Sequence, residues 1–201
     1  MLPAFFGVVM KIDVSVPPTV EPLSLAEARA HIGVFTSDDD AMIASLITAA
    51  RQSVEAYIRR PICTQTIVLT LDKFPAVIEL PRLPVQSITS INYIDDNGST
   101  QSFTDFKADL TGDFNATIEP AYDYTFPSTR VESAAVTITM VAGYGVPTDS
   151  PDLIPFPIKQ AILMLIGSMY NNRENEVVGT IVGSLPIGIK WLLNPYRLTL
   201  A

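Results

Sequence analysis

The apolar residues of this chain keep one spacing, change to another, and then change back. Between residues 41 and 59 they fall at Met42, Ile43, Leu46, Ile47, Ala50, Val54, Tyr57 and Ile58, which is one stripe along a helix. From residue 64 to about 141 the pattern is β-rich, with runs at 64–72, 77–80, 85–94 and 134–141. Helical spacing returns at Ile158, Ala161, Ile162, Leu165, Ile166 and Met169. Two long amphipathic helices therefore flank a β insertion. They must bury their stripes on each other, and doing so brings the two ends of the insertion close. The expected class is α+β: a small helical bundle with helices near 24–32, 39–60, 157–172 and 186–194, and an antiparallel β module inserted at about 64–141.

Punctuation along the chain refines this outline. Residues 14–22 carry three prolines and cannot be a helix interior, so residues 1–21 read as an extended arm, its first ten residues as a flexible arm or an edge strand. Ser24 and Glu27 form a capping box at the start of a short helix that Gly33 stops. Asp38, Asp39 and Asp40 suit the start of the next helix as caps and as partners of its dipole, and Pro61 closes it. Asp96-Asn97-Gly98 marks a tight hairpin turn, with residues 99–106 as the returning strand and 116–118 as a further short one. Pro157 suits a first helical turn, and Pro186 opens a last short helix. The expected organisation is a helical core of 22–63 and 142–185, the β insertion of 64–141, and a C-terminal docking segment of 186–201.

Composition excludes several functions. The chain has 201 residues, 48% of them hydrophobic, enough to bury a core. Its 13 Lys and Arg against 21 Asp and Glu give a formal net charge of −8, and the basic residues are scattered. A groove that grips nucleic acid needs clustered cations to neutralise phosphates, so tight DNA binding is not expected. The apolar start has no basic leader region and is far too short to span a bilayer, so neither a signal peptide nor a membrane anchor is expected. The single cysteine, Cys63, allows no intramolecular disulfide and no cysteine metal cluster, and fits a reducing compartment.

No residue set has the form of a catalytic site. His31 is the sole histidine and sits in a helical last turn, where imidazoles meet terminal carbonyls. The Asp38–Asp40 run lacks the alternating ligands and glycine turn of a calcium loop. Gly143-Tyr144-Gly145 lacks the lysine and the glycine spacing of a phosphate loop. Cys63 follows Arg59 and Arg60, but no histidine lies near it in sequence, and a packed thiol is the expectation. No catalytic residue, metal ligand or cofactor is expected. Two sets remain as contact candidates. Arg51, Glu55 and Arg59 lie at i, i+4 and i+8, either as a solvated paired stripe or as a contact between subunits, and Arg173 and Glu174 pose the same choice. Trp191, Leu192, Leu193, Tyr196 and Arg197 form a dense terminal cluster, which either folds back on its own core or docks into another protein.

Six stretches, in order, resemble the head–tail connector (adaptor) family of long-tailed bacteriophages and gene transfer agents. They are Pro-Leu-Ser-Leu-Ala-Glu-Ala-Arg-Ala-His-Ile (22–32), residues 39–60, Val-Ala-Gly-Tyr-Gly (141–145), Pro-Ile-Lys-Gln-Ala-Ile-Leu (157–163), Tyr-Asn-Asn-Arg-Glu (170–174), and Leu-Pro-Ile-Gly (185–188) with Leu-Leu-Asn-Pro-Tyr-Arg (192–197). The resemblance implies a non-enzymatic structural protein of the virion neck, made in the host bacterial cytoplasm. It implies a homo-oligomeric ring, commonly of twelve copies, beneath the capsid portal, joined on its other face to a stopper or tail-side connector. DNA would pass through the lumen without sequence-specific binding. By position, Trp191, Leu192, Leu193, Tyr196 and Arg197 would face the portal protein. Arg51, Glu55, Arg59, Arg173 and Glu174 would lie between subunits. The alternative left open by the residues is a carbohydrate- or calcium-binding module, or an enzyme, built on the β insertion around Asp95, Asp96, Tyr122, Asp123 and Tyr124.

Overall fold

The structure is a computed structural model that describes residues 10–112, 115–145, 153–172 and 186–198. The fold is α+β, and the chain divides into two compact units. One unit, Met1–Thr19 with Thr64–Gly143, holds the strands. The other, Val20–Cys63 with Tyr144–Ala201, holds the helices.

In the helical unit, α1 (Leu25–Ile32) starts at the anticipated capping box. The Glu27 amide donates to Ser24 Oγ (3.2 Å), and the Ser24 amide donates to Glu27 Oε2 (2.8 Å). Gly33 ends the helix at φ 72°, a left-handed conformation that a side chain would resist. Helix α2 (Asp40–Ile58) buries Ile43, Ile47, Ala50, Val54 and Ile58, the expected stripe. It stops short of residue 60 because Arg59 itself turns left-handed (φ 60°), its amide still donating to Glu55 O at 2.8 Å. Asp39, at the N-cap position, does not cap it as expected. Asp39 makes no side-chain cap bond and accepts from Tyr170 Oη instead (2.5 Å), while Asp40 in the first turn pairs with Arg29 (3.4 Å). The tertiary partner outcompetes the local N–H groups.

Helix α3 (Phe156–Asn171) has Pro157 in its first turn, where a missing N–H breaks no helical bond, and buries Ile158, Ala161, Ile162, Leu165 and Ile166. It packs on α2 and on α4 (Ile187–Leu193), which runs into a 3-10 turn at Asn194–Tyr196. One cluster joins Ile43, Ile47, Val54, Ile58, Ile158, Ile162, Ile166, Ile189 and Leu193. The ends of the insertion meet here as anticipated: the Tyr144 amide donates to Ile62 O (2.9 Å), and Cys63 bridges to Gly145.

In the β unit an antiparallel five-stranded sheet has the order β1-β2-β8-β4-β5, from β1 (Met10–Val16), β2 (Gln65–Leu71), β4 (Val85–Ile94), β5 (Thr100–Ser102) and β8 (Val136–Ala142). A three-stranded sheet has the order β3-β7-β6, from β3 (Ile78–Glu79), β6 (Phe106–Asp109) and β7 (Thr117–Pro120). Strands β2 and β8 bury every second residue in step, so Ile67 meets Met140, Leu69 meets Ile138 and Leu71 meets Val136. That shared period holds the register, because a one-residue slip would turn all six side chains to the other face. Strand β4 alternates only partly because two register shifts interrupt its ladder with β8.

Two strands depart from the sequence reading. Within the segment read as an arm, Met10–Val16 forms the edge strand β1, paired to β2. The single returning strand expected at 99–106 is instead split between the two sheets. Phe103 turns inward at the break, 8% exposed, its ring 6.0 Å from Phe74 and 5.4 Å from Phe126. Burying that ring in an aromatic cluster outweighs continuing the hairpin.

Candidate docking surface

Helix α4 is apolar on both sides, and among the described residues only one side is packed on the helical core. Ile189 and Leu193, four residues apart, are 1% and 0% exposed and belong to the helical core. Ile187 and Trp191, also four apart, are 74% and 76% exposed. Side chains at i and i+4 share a helix face, so the two apolar pairs lie on different faces of one short helix. A helix of this length has no stability of its own and is held by what it packs on.

The segment after it is tied down bond by bond. Tyr57 Oη donates to Asn194 Oδ1 (2.8 Å), Arg60 Nε donates to Tyr196 O (2.6 Å), and the Leu198 amide donates to Ile58 O (2.9 Å). The Arg197 guanidinium lies 5.1 Å from the centre of the Tyr57 ring. All these partners stand at the end of α2, so the α2 C-terminus serves as the anchor post for the tail.

The five terminal residues singled out in the sequence therefore share a segment but not a side. Trp191 and Arg197 are exposed, Leu192 and Tyr196 are partly buried against the core, and Leu193 is wholly inside it. Sequence reasoning missed Ile187, whose signal was its place one helical turn before Trp191. Met164 of α3, 37% exposed, adjoins the same region: its Cε lies 3.7 Å from where a Cβ on Gly188 would stand. Ile187, Trp191 and Met164 are large apolar side chains left in water. The arrangement can bind another apolar surface, and it offers no nucleophile, acid or base.

Arg51, Glu55 and Arg59 are also divided. Arg51 is 6% exposed and chelated, with Nε and Nη2 on the two Glu21 oxygens (2.7 and 3.2 Å) and Nη1 on Glu55 Oε2 (2.8 Å). Burial acts to lower the Arg51 pKa, but the Glu21 hydrogen bond and the charges of Glu55 and Glu21 outweigh it and hold the pKa above its ordinary value. Glu55 Oε1 accepts from the Ile62 amide (2.8 Å), and burial raises the Glu55 pKa. Arg59 is exposed, carried away from the other two by its left-handed backbone. Arg173 and Glu174 lie outside the described residues.

The remaining candidates sit in structural positions. His31 lies against α3, its Nε2 3.6 Å from where a Cβ on Gly167 would stand. Asp95 Oδ1 accepts from the Asn97 and Ser99 amides (2.9 Å each), the work of a turn residue; the Ser99 bond is the main reason its pKa is lowered. Gly143 and Gly145 adopt φ of 125° and 146°, which their lack of a side chain permits. Tyr122 and Tyr124 are exposed, and Asp123 between them has φ 63°. Among the described residues no group of three or more His, Cys, Asp or Glu side chains could hold a metal ion. No described helix is long and apolar enough to cross a membrane.

Cys63 is fully buried, and burial pushes its thiol pKa up to about 12. Since the thiolate is the reactive form, the native protein is expected to resist a thiol reagent at pH 8 and to react at once when unfolded in urea. Prompt stoichiometric labelling of the native protein would contradict the burial seen here.

Residues 22–123 and 115–197 match the family model described as "Phage gp6-like head-tail connector protein". Among solved structures, the chain is similar to one from the neck of an empty gene transfer agent particle computed with C6 symmetry, at 23% identity and a TM-score of 0.73, covering 96% of this chain and 97% of that one. It is likewise similar to a chain of the virion of a native gene transfer agent particle (20% identity, TM-score 0.75, 94% and 96% covered). A third similar chain comes from the neck of a native gene transfer agent particle computed with C12 symmetry (21% identity, TM-score 0.70, 96% and 97% covered). None of the curated proteins matches. With a terminal helix that offers an apolar face and no chemistry, and a family match across both units, the chain belongs to the phage gp6-like head–tail connector proteins, a structural family and not an enzyme family.

Proposed function

We propose that this protein forms a ring in the neck of a phage or phage-like particle and docks to the capsid portal through its C-terminal segment. The observation that carries the proposal is the split of α4: Ile189 and Leu193 fasten the helix to its own unit, while Ile187 and Trp191 are left 74% and 76% exposed. Tryptophan is among the residues that most often anchor protein interfaces, and an anchor works best when the backbone beneath it is already held. The ring reading is supported by similar chains that come from particle necks described with sixfold and twelvefold symmetry. Twelve copies is the number we propose.

Within the ring, exposed Arg59, with Arg173 and Glu174, would meet the neighbouring copy. Arg51 and Glu55 would contribute by holding the α2 C-terminus that presents Arg59. The tail-side face would receive the next connector or stopper. DNA would traverse the lumen without being gripped, in keeping with a net charge of −8.

The test is electron microscopy of the protein mixed with the portal protein of its particle, with Trp191→Ala, which leaves the buried face of α4 intact, as control. A second ring stacked on the portal, diminished or lost in Trp191→Ala, is the expected result. No added ring with either protein would remove the proposal.

A further inference from the structure

The chain passes between its two units three times: it enters the helical unit at Val20, leaves after Cys63, and returns at Tyr144. Glu21 follows the first crossing, Ile62 precedes the second, and Tyr144 opens the third. These segments have little regular structure of their own. Residues 17–22 include three prolines, and Pro61 stands before Ile62, so few amide donors are available to hold them by backbone pairing.

One guanidinium is linked to all three, to the first directly and to the other two by way of Glu55. Arg51 holds Glu21 by two hydrogen bonds of 2.7 and 3.2 Å and Glu55 by a third of 2.8 Å. Glu55 passes the link on, its second oxygen accepting from the Ile62 amide at 2.8 Å. The Ile62 carbonyl in turn accepts from the Tyr144 amide at 2.9 Å, beside the Cys63–Gly145 bridge. Thr48 Oγ1 steadies Glu21 from α2 at 2.9 Å. The order is Glu21, Arg51, Glu55, Ile62, Tyr144, an unbroken chain of hydrogen bonds. Arg51 is 6% exposed, and planar two-pronged pairing of this kind fixes direction as well as distance.

We propose that Arg51 is a positioning residue: it acts as a clasp that fastens to one point of α2 the three segments by which the chain enters and leaves the helical unit. The clasp is distinct from the docking surface on α4 and does not depend on the ring or the portal. An arginine in a core needs its carboxylates for solvation, but Glu55 alone could pair with it. The second carboxylate comes from Glu21, thirty positions before Arg51, and its recruitment ties the entry segment to the exit.

The test is native-state amide hydrogen exchange followed by NMR, on the full chain, with Glu21→Gln and Arg51→Met. The link from Glu21 to the Ile62 amide described above runs through Arg51 and Glu55, so a role confined to the Glu21 segment would leave the Ile62 and Tyr144 amides alone. The expected result for Glu21→Gln is a fall in protection at Ile62 and Tyr144 of roughly tenfold beyond any fall at Ile162 in α3. Arg51→Met should give the same pattern, larger. Should Arg51→Met fail to fold, Arg51→Lys replaces it, keeping the charge and losing the two-pronged geometry. Ile62 and Tyr144 losing no more protection than Ile162 in Glu21→Gln would overturn the proposal, because the loss would then be global and not confined to the crossings.

Discussion

Leu193→Ala should lower the stability of the helical unit by about 2–5 kcal/mol, the range for truncating a fully buried leucine. Leu193 is 0% exposed and shares a cluster with Ile43, Ile58 and Ile162, among others, so the deletion leaves a cavity that helices on several sides cannot all close. The tail should be released first. Its three hydrogen bonds to Tyr57, Arg60 and Ile58 are the short-range links that α4 brings into register, and losing the buried leucine lets the segment fray before α2 and α3 separate. Urea unfolding followed by circular dichroism reads the first effect, and limited proteolysis after residue 186 reads the second. A variant as stable as the parent would mean that α4 is not anchored by this face.

Trp191→Ala should do the reverse. With 76% of its surface already in water, the indole contributes little to folding, and the change in stability should stay within about 0.5 kcal/mol. Binding to the portal protein should weaken by about 2 kcal/mol or more, roughly thirtyfold, as for a central aromatic anchor. Ile187→Ala should follow the same pattern with a smaller loss. Titration of the labelled protein onto isolated portal rings separates the cases. Undiminished binding by Trp191→Ala would move the docking surface elsewhere. The pair of variants is more informative than either alone: one residue apart from its neighbour Leu192 on each side, Trp191 and Leu193 should divide docking from folding.

Those two residues also show where the sequence stops being readable. In α2 and α3, stripes of five or more apolar residues settle the phase of the helix, and the buried set was legible in advance. Helix α4 has seven residues, nearly all apolar, and so short a run gives no contrast between faces. The cluster is visible in the sequence, but its division between buried Leu193 and exposed Trp191 and Ile187 is not. The Arg51–Glu55–Arg59 spacing misled for a related reason. An i, i+4, i+8 series marks one face only while the backbone stays helical, and Arg59 leaves it. The residue that decides the fate of Arg51 is Glu21, which no local spacing connects to it. In the β unit, the strong alternation of β2 and β8 was plain, while the break at Phe103 was not, because it depends on Phe74 and Phe126 waiting to receive the ring. The turn at Asp96-Asn97-Gly98 is legible because the groups that bond across it, Asp95, Asn97 and Ser99, lie within a few residues of one another.

The strand order has a consequence for how the molecule comes into being. The middle place in the five-stranded sheet belongs to β8, the last of its strands to be synthesised among the described residues, and β2 and β4 reach each other only through it. Helix α2 likewise waits for α3, which begins at Phe156. A chain emerging from the ribosome thus carries two partial sheets, β1 with β2 and β4 with β5, whose facing edges stay open until β8 arrives. Closure over such separations is slow, and the waiting species are prone to stick to one another. A premature stop before residue 136 would produce not a shorter sheet but two fragments of one, with the keystone missing.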